Sequence, residues 1–229
     1  MARKQRDVTP RKLVVMVSSS VYGIEELLDR IYTLLTAFGY EVWMSHKGTM
    51  PVSSSRSCFE NCLAAVEKCD LFLGLITTHY GSGKESTAGL SITHRELLEA
   101  IKLKKPRWIL VHDHVVFART LLANLTTQKN PKTRKGQRRP TFQVEKNAVI
   151  DDLRVIDMYD AAVGATVPVP ERKGNWAQKY RTPEDAMLYA TAQFSRYQEV
   201  EEFVRENLKD EPAVRARIEA SRGREGVRR

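Results

Sequence analysis

Short apolar runs alternate with longer stretches of helical spacing along the first 125 residues. Residues 13–17 (LVVMV) are continuously apolar and rich in β-branched side chains, which predicts a strand buried on both faces of a parallel sheet. Beyond a run of serines, Ile24, Leu27, Leu28, Ile31, Leu34, Leu35 and Phe38 recur at three- and four-residue steps, and Gly39 closes the predicted helix. YEVWM (40–44) predicts a second strand. Ser57 and Glu60 have the spacing of a capping box, opening a helix with Cys62, Leu63, Val66 and Cys69 on one side. LFLGLI (71–76) predicts a third strand. Thr93 and Glu96 repeat the capping-box spacing ahead of Leu97, Leu98, Ala100, Ile101 and Leu103, and Pro106 ends that helix. RWILVH (107–112) then predicts a fourth strand and VFARTLLANL (116–125) a helix.

The second half is less regular. Residues 128–148 read as a basic loop bearing Pro and Gly, and LRVIDMY (153–159) as a fifth strand. Thr182-Pro183-Glu184-Asp185 combines an N-cap, a proline at the first helical position and acids in the first turn, predicting a helix to about Leu208. The alternation predicts an α/β fold: a parallel sheet of four or five strands with helices on both faces, plus a long C-terminal helix. Its parts are a basic tail (1–11), an α/β domain (12–127), an insertion (128–148), a completing strand and helix (149–208) and a second basic tail (209–229).

Composition narrows the class. The 229 residues are 42% hydrophobic and 28% charged, which excludes collagen-like, wholly disordered and disulfide-scaffold chains. No apolar stretch approaches the roughly 18 residues of a membrane span. The basic N-terminus has no apolar run behind it, and three cysteines suit a reducing compartment, so a cytoplasmic protein without membrane contact is expected. The net charge of +9 sits in three segments: residues 1–12 carry +4, residues 129–139 carry +6 and residues 209–229 carry +3. The remainder is therefore mildly acidic. Nucleic-acid binding through Lys129 to Arg139 is less favoured than solvated basic segments, because a groove reader carries its charge on its elements.

Open parallel sheets bind ligands at the carboxyl ends of strands where the winding direction reverses. With strand order 2-1-3-4-5, the facing loops are Ser18-Ser19-Ser20-Val21-Tyr22-Gly23 and the segment from Thr77 through His79, Tyr80 and Gly81 to Gly83. Both are rich in hydroxyls and glycine, which suits ribose or phosphate oxygens and equally suits plain turns. There is no GxGxxG after the first strand, and Gly81-Ser82-Gly83-Lys84 lacks the remaining P-loop residues. Cys58, Cys62 and Cys69 read as helix packing. His112-Asp113-His114 ends the fourth strand, where two histidines flanking one residue are expected to point apart, so no metal site is expected. Glu96 serves either the capping box, accepting from the Thr93 amide, or chemistry at the mouth of the crevice beside Ser91. A carboxylate there suits an oxocarbenium-like ribosyl transition state. Trp43, at the end of the second strand, is either a core residue or a platform for a base.

VVMVSSSVYGIEELLDRI, CDLFLGLITTHYGSG and GLSITHRELLEAIKLKKPRWILV together resemble a bacterial family of domains of unknown function allied to TIR domains. Asp70, Tyr80, Gly81, Ser91, Thr93, Glu96, Ala100, Lys105 and Pro106 carry the resemblance, while Ser20 and Gly23-Ile24 depart from the family's commoner Thr and Asp-Leu. The resemblance implies kinship with TIR NAD+ glycohydrolases and nucleoside deoxyribosyltransferases, a flavodoxin-like sheet, and Glu96 as the catalytic glutamate. Ser18, Ser19, Ser20, Tyr22, Trp43, His79, Tyr80, Gly81 and Ser91 are then the expected substrate-binding residues. NAD+ or a related nucleotide is the expected substrate rather than a cofactor. Self-association or a sensor or effector partner, in antiviral defence or nucleotide signalling, is the expected setting. The alternative is a non-catalytic interaction module on the same fold.

Overall fold

A computed structural model describes residues 12–81, 83, 89–129, 136–138 and 149–207. The basic tails and most of the 128–148 insertion lie outside the described residues. The described chain falls into two compact units, one ending at Tyr189 and the other beginning at Ala190. The second unit's described part is residues 190–207 of one helix.

The larger unit is built on five parallel strands, β1 (Val14–Ser19), β2 (Glu41–Trp43), β3 (Leu71–Ile76), β4 (Arg107–His112) and β7 (Ala177–Tyr180), in the order β2-β1-β3-β4-β7. The chain crosses from β1 to β2 in one direction and from β2 through β3 and β4 to β7 in the other. Right-handed crossovers therefore put α1 (Glu25–Ala37) on one face of the sheet. They put α2 (Cys58–Lys68), α3 (Ile92–Lys102), α4 (Asp113–Thr126) and α5 (Arg154–Ala162) on the other. Burial follows that division. Val14, Met16, Phe72, Ile76, Ile109 and Val111 share one core with Val66, Leu97, Val115 and Val155 from α2 to α5. The alternate positions Val15, Val17, Leu73, Leu75 and Leu110 are equally buried, which leaves them to the face of α1 with its stripe Leu27, Leu28, Ile31 and Leu35. Gly74 is the one small residue at the centre of β3; a Cβ there would stand 3.0 Å from both Ile109 Cδ1 and Phe72 Cε1.

Three expectations need correction. LRVIDMY is α5, not a strand: Val155, Ile156, Met158 and Ala162 are buried on one helical stripe, and Asp152 Oδ1 accepts from the Arg154 amide at its start. The fifth strand is instead β7 (AQKY), an edge strand whose fully buried side chain is Tyr180 alone. The basic insertion is not simply a loop, since β5 (Thr127–Lys129) and β6 (Gly136–Arg138) pair as an antiparallel ribbon. The last helix, α6 (Pro183–Asn207), begins where expected, with Thr182 Oγ1 accepting from the Asp185 amide and Asp185 accepting from the amides of Arg181 and Thr182.

Candidate functional site

The two capping boxes expected from the sequence fare differently. In α2 the box is complete: Ser57 accepts from the Glu60 amide and Glu60 accepts from the Ser57 amide. In α3 it is not. Ser91 is the N-cap, its hydroxyl accepting from the His94 amide, so Thr93 already lies inside the helix and has no need of Glu96. Released from capping, Glu96 turns inward beneath the carboxyl end of β1, where Ser18 Oγ donates to its Oε2 at 2.5 Å. Glu96 is 5% exposed and Ser18 3%.

Burial raises the Glu96 carboxyl from 4.5 to about 7, against the opposing effect of hydrogen bonds from Ser18 and the Cys62 thiol. Cys62 is pushed up in turn, by its own burial and then by the neighbouring Glu96 charge. The site thus holds a carboxyl group on α3 that is part charged and part protonated near neutral pH, aimed by a hydroxyl from β1.

Around this pair the two facing loops converge. Ser20 Oγ and Thr77 Oγ1 share a hydrogen bond of 2.6 Å between the ends of β1 and β3. Gly81 adopts φ +89, and a Cβ there would lie 3.7 Å from Ser20 Cβ, 3.9 Å from Ser91 Cβ and 4.0 Å from Thr93 Oγ1. The backbone after β3 therefore touches both the β1 loop and the start of α3. Tyr80 is buried, its hydroxyl accepting from the Ser91 amide at 3.2 Å and lying 2.8 Å from His94 Nδ1. Burial followed by the nearby Arg154 charge pushes His94 down to about 4, so the ring is uncharged at neutral pH. The Arg154 guanidinium stacks 4.4 Å over the Tyr80 ring, is forked onto Asp152, and donates to the Gly89 carbonyl at 2.9 Å.

The structure thus brings together Ser18, Ser20, Tyr80, Gly81, Ser91 and Glu96. It does not gather the others. Ser19 donates to the Ser20 carbonyl, and Tyr22 is 60% exposed. His79 faces Asp151, whose other oxygen takes the Tyr80 amide. Trp43 packs against the core and donates Nε1 to Glu41 at 2.7 Å. Thr77, His94, Cys62 and Arg154 join the cluster without having been expected to bind substrate. Of these only Thr77 had a signal, its place in the loop after β3. Other residues of the recurring pattern hold the frame: Asp70 accepts from the Val14 amide, Lys105 donates to the carbonyls of Glu67 and Cys69, and Ala100 is fully buried.

Residues 14–154, from the first strand to Arg154, match the family described as Domain of unknown function (DUF4062). The chain belongs to that family. Its span covers β1 to β4, both facing loops and every residue of the Glu96 cluster. No curated protein matches the chain. Among the described residues no helix of this DUF4062 protein is long and apolar enough to cross a membrane.

Proposed function

We propose that this DUF4062 protein is a TIR-like nucleosidase that cleaves the N-glycosidic bond of NAD+ or a related nucleotide. The observation that carries the reading is the buried Glu96–Ser18 pair at the carboxyl edge between β1 and β3, where the winding direction reverses. In the reaction the C1′–N bond breaks and its electron pair leaves with nicotinamide, which departs as a neutral base. The positive charge on the ribose C1′ and ring oxygen is met by the Glu96 carboxylate, which Ser18 holds in place. Water then adds at C1′ and gives up its proton to Glu96, a carboxyl whose affinity matches neutral pH. Ser20 and Thr77, whose hydroxyls bond each other and, from Thr77, the His79 backbone, would meet ribose or phosphate oxygens by exchanging that bond for one to the substrate, beside the Gly81 backbone. The family resemblance supports a setting in bacterial antiviral defence or nucleotide signalling, with a second protein as trigger.

The test is NAD+ turnover by the purified chain, alone and with proteins encoded beside its gene. Glu96→Gln keeps shape and loses charge, and turnover is expected to fall at least about a hundredfold. Glu99→Gln, one turn on and paired with surface Lys102, should leave the rate within about twofold of the parent. Equal rates for the Glu96 variant and the parent would remove Glu96 from catalysis.

One observation favours a second reading, a self-assembling module. Phe117 and Leu121 stand one turn apart on α4 and are 65% and 61% exposed, an apolar pair suited to a second copy of the chain. Sedimentation of Phe117→Glu/Leu121→Glu beside the parent tests it, and a monomeric parent would dismiss it.

A further inference from the structure

We propose that His112, Asp113 and His114 bind a divalent first-row transition cation of the zinc or nickel class at the carboxyl end of β4. Along a continuing strand, residues 112 and 114 would share a face with Asp113 opposite. On sequence the two rings were expected to point apart. Neither arrangement occurs, because β4 ends at His112 and α4 begins at Asp113. The change of direction brings the two imidazoles to a centroid separation of 4.7 Å with the carboxylate between them. Asp113 Oδ1 lies 3.3 Å from His112 Nδ1 and 3.9 Å from His114 Nε2. One ligand atom from each residue lies within 4.8 Å of the other two.

The carboxylate oxygen at the centre is the second observation. Asp113 Oδ1 is itself shielded from solvent and makes no hydrogen bond among the described residues; the two imidazole nitrogens stand nearest it, so a cation held between all three would satisfy it. Its other oxygen faces Arg181 Nε at 3.5 Å, so the orphan is the one turned to the imidazoles. Ligands held at about 2.0–2.2 Å from one ion stand up to about 4 Å apart, so the set closes with shifts of under about 1 Å. His114, about half exposed, is free to make that shift. The cost is one weak hydrogen bond, since His112 Nδ1 now accepts from the His114 amide at 3.2 Å. The Tyr180 ring, paired in register with His112 and edge-on to it at 5.4 Å, keeps the first imidazole upright. Two imidazoles and one carboxylate select zinc, nickel or copper over magnesium or calcium. Three protein ligands leave coordination open to an exchangeable group. The site shares no residue with the Glu96 cluster.

Calorimetric titration of the untagged, chelator-stripped full chain with zinc sulfate, under a non-thiol reductant, decides the matter. One equivalent is expected to bind. His114→Ala and Asp113→Asn should each weaken binding at least about tenfold while circular dichroism stays that of the parent. Cys58→Ser, which removes the exposed thiol, should bind as the parent does. Absence of saturable binding by the parent, or parent-like affinity in a folded His114 or Asp113 variant, overturns the proposal. So does equal affinity for calcium.

Discussion

At its amino end α3 buries Ser91, His94 and Glu96, whereas at its carboxyl end it exposes Lys102, Leu103 and Lys104 beside a cleft of about 1350 Å3. That cleft runs past Arg107, Arg119, Asp160 and Arg172 at the amino end of β4, on the edge of the sheet away from Glu96. Some of its charges are matched at the surface, as in the Arg119–Asp160 pair, or meet backbone, as where Arg107 donates to the Lys173 carbonyl, while Arg107 Nε is buried with no hydrogen-bond partner among the described residues. The Glu96 end holds a carboxyl raised to about 7 and an imidazole lowered to about 4 within one helix turn. Size and reactivity therefore separate in this molecule. A large cleft is not by itself a reactive one: a few desolvated, aimed polar groups at the other end of α3 acquire new chemistry.

The largest test of that contrast is pH. The Glu96 carboxyl binds its proton more tightly folded than unfolded, so its contribution to stability is complete below about 4.5, declines as pH rises from 4.5 to about 7, and is gone above. Across that window the parent should lose on the order of 3 kcal/mol relative to Glu96→Gln, which has nothing to titrate. Urea unfolding of both proteins at half-unit pH steps reads the difference directly. Parallel curves between pH 5 and 8 would mean that Glu96 is hydrated in solution, and the contrast between the two ends of α3 would fail with it.

What the sequence disclosed follows from how locally each feature is encoded. β1, β3 and β4 were legible because strands buried on both faces need continuous apolar runs, and each had one. β7 was not, because an edge strand spelled AQKY buries one large side chain and has no period to detect. The α5 segment misled because Val155 and Ile156 favour strands locally, whereas Ala162, one turn beyond the run, is what completes the helical stripe. Glu96 was placed at the crevice by topology, yet its partner Ser18 lies 78 residues away and no spacing rule joins them. The apparent Thr93–Glu96 box hid that partnership, since Ser91 was the hydroxyl able to reach the His94 amide from outside the helix. His94, Cys62 and Arg154 were invisible for the same reason: their roles exist only after the loops have converged.

A middle-sized effect separates the two helix ends by stability. Ser91→Ala removes the hydroxyl that caps the His94 amide in a buried setting and should cost about 1 kcal/mol. Lys102→Met breaks an exposed pair with Glu99 and should stay within about 0.5 kcal/mol of the parent. Denaturant midpoints at constant slope measure both, and equal losses would show that the amino end is no better buried than the carboxyl end.

The smallest effect belongs to Lys104 and has the opposite sign. After Leu103 the helix closes with the Lys104 amide donating to the Ile101 carbonyl and the Lys105 amide to the Ala100 carbonyl, the pairing of a Schellman cap. That geometry needs a left-handed residue, and Lys104 supplies it at φ 54, the only described residue other than glycine with positive φ. A Cβ in this conformation crowds the following carbonyl, a strain that glycine does not have. Glycine gives back part of the gain through the greater freedom of its unfolded chain, so Lys104→Gly should stabilise by about 0.5 kcal/mol net. The Lys105 side chain keeps its bonds to Glu67 and Cys69 throughout, so the end of α2 is undisturbed. Because the change lies at the cleft end of α3, NAD+ turnover should match the parent while the denaturant midpoint rises. A lower midpoint would show that the Lys104 side chain contributes to the cleft more than its backbone strain costs.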